Sequence, residues 1–183
     1  MAKYPDLVTT KKGLDLNSAA NAAQTAIIFT KVVAGDGDVP SGKAIADLTS
    51  VVSARMELPI TNGENLGNGH FTIRATLDNA DLTNGFYAKE IGVYAKTSND
   101  TEVLYAYTNG GNYVDYIPDK SSPIDAQIFT IDIIVGNAAQ IELVINDGTY
   151  ATMNDLNRRL MVSTTAEKPT SMDSRGMWIE IIN

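Results

Sequence analysis

The sequence predicts a mainly β fold with a few short covering helices, an α+β arrangement of one antiparallel sheet or sandwich followed by a short helix and a terminal strand. Three observations predict it. Several separate runs alternate apolar and polar residues with the period of a strand that buries one face. Glycine, asparagine and aspartate interrupt those runs where connections are needed. Helical spacing is confined to short stretches, too few to form a core of their own.

In chain order, residues 17–24 are alanine-rich and predict a first helix. Residues 41–52 follow Pro40, offer Ser41 as a cap and place Ile45, Leu48 and Val52 at helical spacing, which predicts a second helix over one face of the sheet. The glycine-rich run from Gly63 to Gly69 lacks the lysine and spacing of a phosphate loop and reads as a flexible loop. Phe71, Ile73, Ala75 and Leu77 then alternate with His70, Thr72, Arg74 and Thr76, so one strand face should be buried and the other wet. Residues 86–95 carry aromatic or aliphatic residues on both faces, with Glu90 and Gly92 as local exceptions, as expected of one central strand. Gly92 marks a close approach by another group. Phe129, Ile131, Ile133 and Val135 alternate again, as do Ile141, Leu143 and Ile145. The intervening Gly136-Asn137 suits a hairpin, which makes these last two strands antiparallel neighbours and places a sheet edge near the carboxy-terminal end.

Composition changes after Asp147-Gly148. The expected organisation is a domain over 1–148, a short helical connector over 149–162, and a linker with a terminal strand over 163–183. Thr152 can cap a helix running through Leu160 that places Met153, Leu156 and Leu160 on one face. That stripe opens a parallel bundle or docks on its own domain, and both readings stay open because a coiled coil needs several heptads. Trp178, the only tryptophan, lies in a terminal apolar strand that needs a sheet, a partner chain or a trimer mate. Interface anchor and core residue are its two open roles.

With 183 residues, 44% hydrophobic and 20% charged, the chain suits a folded protein with a real core. Its formal net charge of -8 has the wrong sign for phosphate backbones or anionic bilayers, so no nucleic-acid partner is expected. No stretch has the apolar length of a membrane span, and residues 1–16 lack the apolar core of a secretory signal, so no membrane insertion is expected. Without cysteine there is neither a disulfide nor a thiolate metal site.

Enzymatic chemistry has little to work with. His70 is the sole histidine and sits on the presumed wet face of a strand. The carboxylate pairs Asp78 with Asp81 and Glu90 with Asp115 have no spacing that selects glycoside hydrolysis. Gly35-Asp36-Gly37-Asp38 lacks the distal glutamate of a calcium loop and reads as a tight turn. No catalytic residue, metal ligand or cofactor is therefore expected. Tyr105, Tyr107, Tyr113 and Tyr116 surround Asn109-Gly110-Gly111-Asn112. Strand packing explains the first two, and Tyr113 and Tyr116 are read as partner contacts.

The run Gly85-Phe86-Tyr87-Ala88-Lys89-Glu90-Ile91-Gly92-Val93-Tyr94, followed by Val103-Leu104-Tyr105-Ala106, resembles a segment of phage tail-fibre proteins, with Lys89 where arginine is commoner. Leu7-Val8-Thr9-Thr10-Lys11-Lys12-Gly13 resembles that family's opening, and Val33-Ala34-Gly35-Asp36-Gly37 its glycine-rich turn. Ile117-Pro118 and Ile141-Glu142-Leu143-Val144-Ile145 complete an ordered set over about residues 5–150. The resemblance implies the amino-terminal, baseplate-attaching domain of a tail fibre from a contractile phage tail or an R-type bacteriocin. It further implies a homotrimer, baseplate proteins and a distal fibre or receptor-binding protein as partners, and residence on the particle tail after synthesis in the bacterial cytoplasm. The expected role is a structural tail-fibre protein or an adaptor; if residue 183 ends a fragment, only the attachment end of a longer fibre is present. The alternative is a receptor-binding module that recognises host cell-surface glycan through the tyrosine loop.

Overall fold

The computed structural model describes residues 3–98, 100–136 and 140–145, and the backbone of 160–163 and 177–180. The protein is mainly β with several antiparallel sheets and one α-helix, in agreement with the expected class. It divides into two compact units, Met1–Ile145 and Asn146–Asn183.

In the first unit, β1 (Val8–Thr9), β8 (Val103–Asn109), β7 (Glu90–Lys96), β2 (Ala26–Gly35) and β11 (Gln140–Leu143) lie side by side in that order. β3 (Ala54–Leu58) also pairs with β2. β7 is central, as its two apolar faces imply, and Glu90 is its fully buried first residue. The expected single strand over 86–95 is broken, however. Phe86–Tyr87 forms β6, which leaves the large sheet to pair with β9 (Tyr116–Ile117), and Lys89 N donates to Tyr87 O in the turn between β6 and β7.

A second sheet consists of β10 (Gln127–Ile134), β5 (His70–Leu77) and β4 (Ile60–Gly67). Phe71, Ile73, Ala75 and Leu77 face inward as their alternation requires, and Phe29 of the large sheet stacks on Phe71 at 6.1 Å between ring centres. The opposite face of β5 is less wet than its sequence implies. Thr72 and Thr76 are 6% and 2% exposed, and the Thr72 hydroxyl donates to Asp132 at 2.7 Å. The expected flexible loop over residues 63–69 is a hairpin instead. Asn68 (φ 52°) and Gly69 (φ 76°) form its two-residue turn, the left-handed pair that matches strand twist.

The antiparallel hairpin expected across Gly136 does not form. β11 crosses to the other sheet and pairs in parallel with β2, Ile141 opposite Ile27 and Leu143 opposite Phe29. β3 occupies the same edge of β2 only from Val32 to Gly35, which leaves Ala26–Phe29 open, and there Ile141 and Leu143 pack against the core. β11 does form the expected sheet edge.

α1 (Lys11–Ala23) begins six residues before the expected stretch 17–24 and stops one residue short of its end, with Gln24 as its left-handed cap. Thr10 accepts from Gly13 N at 2.9 Å and donates to Leu104 O at 2.5 Å, so a single hydroxyl caps the helix and ties it to β8. Gly13 lies against the Tyr105 backbone too closely for any side chain. The second expected helix is absent. Residues 41–52 keep only a 3-10 turn, Ile45–Asp47, because Gly42 takes φ 78°, Ala44 and Leu48 are extended, and the Val51 and Val52 amides bind side chains instead of a helical ladder. Leu48 and Val51 are buried in a second apolar cluster with Val33, Leu104 and Tyr107, whereas Val52 is exposed.

In the second unit, β12 (Leu160–Ser163) and β13 (Met177–Glu180) pair in parallel, Met161 opposite Trp178. The terminal strand is therefore present and its partner is a strand of the same chain. Leu160 opens β12, so the expected helix does not extend through it; the rest of that helix, Met153 and Leu156 included, lies outside the described residues.

Candidate functional site

The end of β2, the chain that follows it and the loop at 51–53 meet at one buried carboxylate, Glu90. β7 starts at Glu90, which lies beside the last turn of β2 because Gly35 pairs with Glu90 and Ala34 with Ile91. Glu90 Oε1 accepts from Gly37 N at 2.5 Å and Ser53 N at 3.0 Å, while Oε2 accepts from Val52 N at 2.7 Å and the Tyr107 hydroxyl at 2.8 Å. Four donors converge on an acceptor-only carboxylate that is itself fully buried, so the buried charge is satisfied within the chain. Gly35 and Gly37 are required by proximity rather than by turn geometry. Neither has positive φ, and a Cβ would stand 2.8 Å from Glu90 Oε1 at Gly35 and 2.5 Å at Gly37. The tight turn read at residues 35–38 is thus an open segment clamped onto Glu90.

The neighbouring charges are used locally. Asp36 pairs with Arg55 at 3.0 Å and accepts from the Ser53 hydroxyl, and Lys89 pairs with Asp38 at 2.9 Å. Gly92 admits Val51 and Leu104, whose methyl carbons would stand 2.5 and 2.9 Å from a Cβ there, the close approach its sequence position implies. Glu90 is therefore an organiser of the fold and has no free lone pair aimed at a cleft.

Asp78 accepts from Ala80 N in a turn. Between Asp78 and Asp81 the buried Asn79 donates to the carbonyls of Pro118, Asp119 and Ser122 and accepts from Ile124 N, pinning the loop that leads to β10. His70 is exposed. Among the described residues no group of three or more His, Cys, Asp or Glu is placed to hold a metal, and no helix is long and apolar enough to cross a membrane.

The tyrosines separate as the strand pattern implies. Tyr105 and Tyr107 are fully buried, and Tyr105 donates to Ile134 O at 3.2 Å. Burial pushes the Tyr105 phenol up to about 12, and burial together with the Asp115 charge does the same for Tyr4. Burial likewise raises Tyr107, with Glu90 adding to it. Tyr113 and Tyr116 stand out at 78% and 52% exposure. Tyr116 meets Tyr87, 57% exposed, edge to face at 5.1 Å across the β6–β9 ribbon. Tyr87 was not legible as a contact residue because only the ribbon pairing brings it to Tyr116.

A second surface feature is an open groove of about 470 Å³ between the amino-terminal residues Tyr4–Leu7 and β10. Nothing in the sequence marks it, since its two walls are more than a hundred residues apart. No family model, curated protein or solved structure matches the chain.

Proposed function

We propose that the chain is a structural tail-fibre protein or adaptor that fixes a fibre or receptor-binding component to the baseplate of a phage or phage-like tail. The observation that carries this reading is the Glu90 clamp. It joins the glycine-rich segment at 33–37 to the Lys89-Glu90-Ile91-Gly92 run, so two of the segments behind the resemblance are tied together by one buried carboxylate. A carboxylate spent on holding the scaffold together suits a protein whose task is to occupy a place in an assembly. Homotrimer formation, the baseplate partner and residence on the particle follow from the resemblance alone. The trio Met153, Leu156 and Leu160, together with Trp178, Tyr113 and Tyr116, remains the proposed set of oligomer and partner contacts, and no enzymatic role is proposed.

The exposed Tyr87–Tyr116 pair with Tyr113 favours one alternative, a receptor-binding module that stacks these rings on host glycan. Electron microscopy of purified tail particles with a gold-labelled antibody against this chain separates the two. Label at the baseplate end supports attachment. Label only at a distal tip supports glycan recognition, and label confined to the soluble pool contradicts both.

A further inference from the structure

β10 ends the three-stranded sheet among the described residues, and its outward main-chain groups can be assigned. Val135 N donates to Gly69 O at 2.7 Å, and β10 runs antiparallel to β5 from Ile134 opposite His70 to Gln127 opposite Leu77. In such a ladder every second residue bonds its neighbour. Residues 129, 131 and 133 therefore turn their N–H and C=O toward β5, and Ile128, Thr130, Asp132 and Ile134 turn theirs away. The Ile134 carbonyl follows this rule, since it accepts from Tyr105 of the large sheet. Ile128, Thr130 and Asp132 have no main-chain partner on that side among the described residues.

Thr130 and Asp132 line the groove whose far wall is Tyr4–Leu7, and Ile128 continues the same edge beyond it. The wall is fixed: Lys3 N donates to Tyr113 O, Tyr4 Oη to Ala88 O and the Thr108 hydroxyl to Pro5 O. Tyr4 meets Phe129 edge to face at 6.4 Å across the gap. Asp6 and Asp132 line the groove, and no lysine or arginine does. On the outer face of the same strand Ile128 and Ile134 are 67% and 62% exposed.

We propose that this groove takes an extended, basic segment of a neighbouring tail component, added to β10 as a further strand. The proposal deepens the attachment reading and rests on it for the identity of the partner. Unpaired main-chain groups along a sheet edge recognise a strand more readily than a helix, and the Asp6 and Asp132 carboxylates select lysine or arginine in it. A second copy of β10 is the wrong occupant, because it would bring another Asp132 into an acidic groove on a chain of net charge -8.

The direct probe is a labelled octapeptide of alternating lysine and valine, compared with its glutamate–valine counterpart and with a version N-methylated at every valine. Binding is read by fluorescence anisotropy and by amide NMR of the full chain. The lysine peptide should bind about tenfold or more tighter than either control and move the Ile128, Thr130 and Asp132 amides. Thr130→Pro removes one outward N–H and leaves the β5 ladder bonds in place, so it should weaken binding about tenfold while melting within about 3 °C of the parent. Should that variant fail to fold, Asp6→Lys with Asp132→Lys should reverse the preference toward the glutamate peptide. Unmoved β10 amides, or equal binding of the lysine peptide and its N-methylated form, would overturn the proposal. Particles lacking this chain provide the second arm. If the parent chain does not rejoin them the attachment reading falls and the peptide result alone decides the groove; if parent and Thr130→Pro rejoin equally, the groove is not the docking surface.

Discussion

The loop over Glu90 and the outer edge of β10 are both extended backbone at the margin of a sheet, and they treat their amide groups in opposite ways. Over Glu90, the amides of Gly37, Val52 and Ser53 all meet one buried carboxylate, and the loop carries Leu48 and Val51 into an apolar cluster. Along β10, the outward groups of Ile128, Thr130 and Asp132 meet none among the described residues. The difference follows burial. Donors shut away from water must be satisfied within the chain, because an unpaired one costs about 1–3 kcal/mol, whereas donors facing an open groove can bond water until a partner replaces it. The closed region holds the fold, and the open one is where the molecule can gain contacts.

The comparison is broken most severely at Glu90. Glu90→Ala removes the shared acceptor of three amides and of the Tyr107 hydroxyl proton, and a loss of about 2–4 kcal/mol is expected in urea unfolding. Gly92→Ala attacks the same region through packing. Its new methyl meets Val51 and Leu104, and overpacking should cost about 1–3 kcal/mol in the same assay. Alkaline pH acts through the buried phenols. Tyr105 and Tyr4 hold their protons up to about pH 12 in the folded chain against an ordinary value of 10.0, so their contribution is complete below pH 10 and is lost between 10 and about 12. Melting temperature should fall across that window, and Tyr105→Phe should make the fall shallower. The smallest effect is expected at the open edge. Ile128→Thr and Ile134→Thr should change stability by no more than about 0.5 kcal/mol, since both side chains are already in water.

Local patterns carried much of this structure. The alternation over 70–77 gave the inward face of β5, the two-sided apolar run gave the central place of β7, and Gly92 announced the approach of Val51 and Leu104. The failures have a common cause in distant partners. Helical spacing over 41–52 was overridden because its amides found Glu90 and the Tyr94 hydroxyl, forty residues away. β11 left β10 because the vacant half of the β2 edge is visible only once β3 is placed. The Asn68-Gly69 hairpin, by contrast, was legible as a left-handed pair and was obscured by the surrounding glycines. Tyr113 and Tyr116 could be marked as exposed loop tyrosines, but the acidic groove could not, because no local pattern joins Tyr4–Leu7 to β10.

Hydrogen exchange of the chain, free and bound to purified tail particles, tests the central contrast most directly. The account predicts slow exchange of the Gly37, Val52 and Ser53 amides in both states, with the Ile128, Thr130 and Asp132 amides exchanging fast in the free chain and slowly on the particle. Fast exchange over Glu90 in the free chain, or β10 amides that do not change on particles carrying the chain, would contradict it.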